Sequence, residues 1–114
     1  MSELINKLSQ HGMDVKDAMS RFMGDEELFE VCFKQFSKDK GFAELGEALD
    51  AKDYENAFRS AHALKGVAGN LGLKKLFSAI SELVETLRAK NYDADLAGMY
   101  SVIMDQCKEL FELI

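Results

Sequence analysis

Apolar residues recur at spacings of three and four along almost the whole chain, the period of an amphipathic helix. Tyr54, Ala57, Ala61, Leu64, Ala68 and Leu71 mark the clearest stripe. Leu76, Phe77, Ile80, Leu83 and Leu87 mark a second, and Leu96, Tyr100, Ile103, Cys107, Leu110 and Ile114 a third. Earlier in the chain, Leu28, Cys32 and Phe36 predict one inward face, and Phe42, Leu45 and Leu49 predict its continuation after a break near Lys38 to Gly41. Polar and glycine residues divide these stripes. Ser2 is placed to cap a short helix ending near His11 and Gly12, and Asp14 a second running to Phe22 and stopped by Gly24. Asp25, Glu26 and Glu27 put acids at the start of the next helix, as its dipole favours. Asp53 caps the helix that ends at Gly72, a usual left-handed C-terminal cap. Asn91, Tyr92 and Asp93 form the last turn. Five or six helical segments joined by short turns predict an all-α protein. The expected architecture is an antiparallel up-down-up-down four-helix bundle over about residues 25–114, with short N-terminal helices capping one end.

Composition agrees with this pattern. The chain has 114 residues, no Pro and 47% apolar residues, enough for one domain, 1–114, with one core. No apolar run approaches the ~18 residues of a membrane span. The first residues lack the basic start and apolar segment of a signal peptide, so the cytoplasm is the expected compartment. Cys32 and Cys107 show no CxxC spacing and fall among apolar helical neighbours, which predicts two buried thiols in a reducing compartment. The net charge is −6, which disfavours nucleic acid. Its distribution changes the picture more than its sum. From Asn56 to Ser81 there is no acid, while Arg59, Lys65, Lys74 and Lys75 give +4, so the rest of the chain holds −10. A basic surface on an acidic protein would steer an acidic partner to one face.

His62 lies in that basic stretch. At about 100° per residue it falls roughly 130° from the centre of the Tyr54 to Leu71 stripe, so it should be exposed beside Phe58. Lys65 and Gly66 stand one turn further on, and Gly69 lies on the flank. Each mid-helix glycine costs about 1 kcal/mol relative to Ala, and a bare surface for close approach by another molecule would explain Gly66 and Gly69. Imidazole is nucleophilic near neutral pH and can attack phosphorus and later leave. Without family knowledge, one helical side thus offers a nucleophile, a cation and open backbone.

The run Ala61-His62-Ala63-Leu64-Lys65-Gly66-Val67-Ala68-Gly69-Asn70-Leu71-Gly72-Leu73 resembles the signature of histidine-containing phosphotransfer domains. The resemblance implies a four-helix bundle in which His62 accepts a phosphoryl group, on Nε2, from a receiver phospho-aspartate and passes it to another receiver. It implies that Lys65 faces the phosphoryl group and that Gly66 and Gly69 admit the receiver's active-site loop. Phe58, Arg59, Lys74 and Lys75 are the further expected docking residues. Some members carry a Gln 22 residues beyond the histidine; here that position is Val84. The expected partners are response-regulator receivers, including that of a hybrid sensor kinase, docking on a monomer. No cofactor is expected on this chain, since Mg²⁺ belongs to the receiver.

Other readings predict different residues. A sensor-kinase dimerisation helix typically follows its histidine with an acid and a nearby Pro, whereas Ala63 stands here and Pro is absent. A di-iron bundle needs Glu-x-x-His pairs, and Leu8 and Arg59 occupy the positions before His11 and His62. His11 reads as a surface residue at a helix end. No phosphate-binding glycine loop for ATP is present. A receiver-binding scaffold without chemistry, and a phosphoacceptor module of a chemotaxis-type kinase, remain compatible with the pattern, although a free-standing protein is expected.

Overall fold

The computed structural model describes residues 2–114, and the described residues are all-helical. Seven helices follow in order: α1 (Glu3–Gln10), α2 (Val15–Arg21), α3 (Glu26–Phe36), α4 (Gly41–Asp50), α5 (Tyr54–Asn70), α6 (Lys74–Arg88) and α7 (Leu96–Phe111). The break near Lys38 to Gly41 separates α3 from α4, which raises the count above the expected five or six. Local chemistry sets the starts. The side chains of Ser2, Asp14, Asp25, Asp53 and Asp95 each accept the backbone N–H three residues on.

Helix α5 packs between α4 and α6, and α7 closes the group against α6 and α4. Ala57, Ala61 and Ala68 are fully buried on α5, so their small side chains let both neighbours approach its backbone. Leu64, Ile80, Leu83 and Ile103 fill the space between. At one end Phe33, Phe36, Phe42 and Phe111 meet with ring centroids 5.1–6.1 Å apart. At the α4–α7 contact, Tyr100 donates its hydroxyl to the Phe42 carbonyl at 2.8 Å. Gly46 makes room for that ring: a Cβ there would stand 2.6 Å from the Tyr100 oxygen.

Several expected core positions differ. On α3 the buried face is Phe29, Phe33 and Phe36, while Leu28 is 47% exposed and Cys32 only half-buried. Two series with helical spacing compete on that helix, and the one with more aromatic area to bury goes inward. On α4 Ala48 is buried and Leu49 half-buried. On α6 Val84 is fully buried, and Phe77 lies at the surface. Tyr100 is only partly buried, and Ile114, beyond the end of α7, is exposed. Cys107 is buried as expected, which pushes its thiol up to about 12. Both cysteines are free.

The α1–α2 hairpin joins the bundle at the α5–α6 turn. Asp14 N–H donates to the Gly72 carbonyl at 2.8 Å, and Met13 pairs with Leu73 in an isolated bridge. Gly72 has φ +69, and a Cβ there would stand 2.7 Å from the Asp14 carbonyl oxygen, so packing and backbone both require glycine. His11 ends α1 and meets Glu109 of α7 at 2.7 Å.

Candidate functional site

His62 is exposed on the outer wall of α5, as its angle from the buried stripe predicts. Among the described residues, no hydrogen-bond partner engages its ring. Phe58, one turn earlier, stacks on it with centroids 5.7 Å apart and planes 29° from parallel. Arg88 reaches from α6 over the other ring system, its guanidinium carbon 5.2 Å from the Phe58 centroid, while Arg88 Nε meets Glu85 at 3.3 Å. On the other side of His62, Lys65 is half-buried and holds its ammonium 5.7 Å from the centroid of Phe77.

The two glycines play different parts. A Cβ at Gly66 would meet nothing within 4 Å, so the protein itself gives no reason for a bare position there. A Cβ at Gly69 would meet Phe77 at 3.2 Å and 3.3 Å. Phe77 of the same chain thus packs over Gly69, whereas the space over Gly66 is open.

Arg88 and Phe77 were not legible as site residues. Phe77 fits the inward stripe of α6, and nothing in the sequence singles out Arg88. Their shared signal is spacing. Phe58 and Gly69 are 11 residues apart on α5, as are Phe77 and Arg88 on α6. Eleven residues complete just over three turns, so each pair stands on nearly one line of its helix. Between Phe77 and Arg88, Ser81 contributes a buried hydroxyl without a partner among the described residues.

The structure gathers His62, Phe58, Lys65 and Gly66 on one wall. It does not bring Lys74 and Lys75 there. These begin α6 about 15 Å further along the axis of α5. Lys74 meets Asp14 at 3.4 Å, and Lys75 lays its side chain along Gly12. The Asp17 N–H, with Lys74 beside it, holds the Asp14 carboxyl below the usual range. Arg59 pairs with Glu55 at 2.7 Å. Two of the four cations of the acid-free stretch are therefore matched by acids from outside it, which weakens the basic surface expected there. The wide groove between α4 and α5 is lined by four acids, Asp39, Glu44, Glu47 and Asp53, against two cations, Lys40 and Arg59, a balance that disfavours an anion. Val84, at the position of the family Gln, is fully buried and offers no polar atom. Among the described residues no cluster of three or more His, Cys, Asp or Glu could hold a metal, and no helix is long and apolar enough to cross a membrane.

The described residues thus form an all-helical module with an exposed, unengaged histidine on its wall. The Hpt domain family model matches residues 27–113, and the chain belongs to that family, whose members carry out phosphotransfer in two-component signalling with receiver domains. The match leaves α1, α2 and the first residue of α3 outside it. No curated protein and no solved structure matches the chain.

Proposed function

We propose that His62 is the phosphoacceptor of a phosphorelay, taking a phosphoryl group from one receiver and giving it to another. The observation that carries this reading is the exposed, unengaged imidazole between Phe58 and Lys65, next to open backbone at Gly66. The Nε2 lone pair forms the P–N bond as the P–O bond to the receiver aspartate breaks. The bonding electron pair returns to the aspartate carboxylate, and the reverse step regenerates free imidazole. Such transfer depends on positioning and charge stabilisation. Lys65 contributes one charge-assisted contact, about 1–2 kcal/mol at a partly exposed site. That is too little for catalysis by this chain alone, so the receiver's acidic pocket and Mg²⁺ supply the larger part.

The docking face is the α5 wall with Phe58, Arg59 and Gly66, extended by Gly69, Lys74 and Lys75 towards the hairpin. We read α4 to α7 as alternating in direction, because short connections join helices that pack side by side. A monomer in the cytoplasm fits this reading, which requires no cofactor on the chain.

The test mixes the protein with a receiver carrying radiolabelled phospho-aspartate. Label should move to the wild type, be acid-labile and alkali-stable as a P–N bond is, and fail to move to His62→Gln. Binding without transfer, under conditions where another relay pair transfers, would replace the reading with that of a scaffold. Transfer that persists in His62→Gln would assign the wrong residue.

A further inference from the structure

Lys65 differs from the other cations around the site. On the wall around His62, Arg59 and Arg88 each meet a carboxylate, whereas none of the ion pairs among the described residues includes Lys65. Its neighbour is the Phe77 ring, 5.7 Å from the ammonium. That ring reaches across from α6 and stays 36% exposed. It lies against the bare backbone of Gly69, where any Cβ would crowd it at 3.2 Å. A large aromatic left at the surface, seated on a helix position that lacks a side chain, calls for a physical reason.

The chemistry of holding a cation supplies one. A carboxylate would hold Lys65 firmly but cancel its charge, and would itself repel an arriving phosphoryl group. The face of an aromatic ring attracts an ammonium through its quadrupole and carries no net charge. It limits where the lysine can go and leaves its field available. The exposed contact is also weak enough to be exchanged for phosphoryl oxygens.

We propose that Phe77 is a positioning residue: seated on Gly69, it keeps the Lys65 ammonium on the α5 wall that carries His62, outside every ion pair among the described residues and ready for the phosphoryl group. This rests on His62 being the phosphoacceptor. It also gives Gly69 a role inside the protein, as the seat of the ring.

The test uses the full chain and phosphoramidate as donor, without a receiver. The His62 nitrogen lone pair forms the new P–N bond, the donor's P–N bond breaks, and its electron pair leaves with ammonia. Phosphorylation rates are read by ³¹P NMR for wild type, Phe77→Leu, Phe77→Tyr, Lys65→Ala and the Lys65→Ala/Phe77→Leu double variant. Phe77→Leu should slow the reaction about two- to fivefold, the fold-change of an exposed cation–π contact. Phe77→Tyr, which keeps the ring face, should restore the rate. With Lys65 already removed, Phe77→Leu should have no further effect. No slowing by Phe77→Leu, or the same slowing with and without Lys65, would overturn the positioning role while leaving the phosphoacceptor intact. A wild type that takes no phosphoryl group on His62 would overturn both.

Discussion

At the scale of single residues, Gly66 and Gly69 show why the same residue type in one motif needs two explanations. Both lie within α5 and both carry the cost of glycine in a helix. Only Gly66 faces empty space, so its bareness has to be explained by what arrives from outside. Gly66→Ala should therefore stabilise the free protein by about 1 kcal/mol, since the methyl group meets nothing and the helix gains. The same substitution should slow transfer from a receiver about tenfold, and by a larger factor than it slows transfer from phosphoramidate. Denaturant unfolding and the two transfer rates check this together. If both donors slow equally, or neither does, open space at position 66 has no bearing on docking. His62 was legible because its position depends only on the period of its own helix. The same holds for Ser2, Asp14 and Asp53, whose capping partners lie three residues away.

Between elements the sequence is less readable, because contacts depend on register. The pairs Gly69–Phe77 and Phe58–Arg88 join α5 to α6 at matching intervals, but nothing local says which residue faces which. Phe77 stands next to Leu76, and a stripe drawn on α6 alone can include either. On α3, Leu28 and Phe29 pose the same choice, and burial of the Phe29 ring between Phe22 and Phe33 decides it. The α4–α7 contact is similarly non-local, with Tyr100 bonding to Phe42 over a separation of 58 residues. Burial, followed by the influence of Cys107, Asp50 and Glu47, raises the Tyr100 phenol above 10.0. A raised value means that the protonated phenol is favoured in the folded state. The stability it brings is complete below pH 10 and is lost as pH rises through the raised value. Tyr100→Phe should cost about 1 kcal/mol at neutral pH through the lost hydrogen bond. It should also lose less stability than wild type on moving from neutral to alkaline solution. Part of the alkaline loss should persist, because the buried Cys107 thiol, at about 12, acts in the same direction. Urea titrations of both proteins across that range measure the difference, and parallel curves would detach Tyr100 from the alkaline transition.

For the whole molecule, an elongated body of 44 × 23 × 20 Å, charge is the property that reaches a partner before contact. The chain carries −6, and its acid-free stretch of +4 predicts a basic face. Folding weakens that face by bringing acids from outside the stretch: Glu55 onto Arg59 from the preceding turn, and Asp14 onto Lys74 from the hairpin. Lys65 and Lys75 keep their charge unmatched by any ion pair among the described residues. Steering of a receiver should then be real but modest. Its association rate should fall about three- to tenfold between 0.05 M and 0.5 M salt, with the dissociation rate nearly constant, since exposed charges are screened within about 10 Å. Glu55→Gln provides the sharper check, because it frees Arg59 at a pair exposed on both sides. It should raise the low-salt association rate about twofold and steepen the salt dependence, bringing the docking face closer to the charge that its sequence alone suggested. Stopped-flow measurement of both proteins against one receiver separates the cases. Salt-independent association, with Glu55→Gln indistinguishable from wild type, would leave shape and the open backbone at Gly66 to select the partner, with no long-range attraction guiding it to His62.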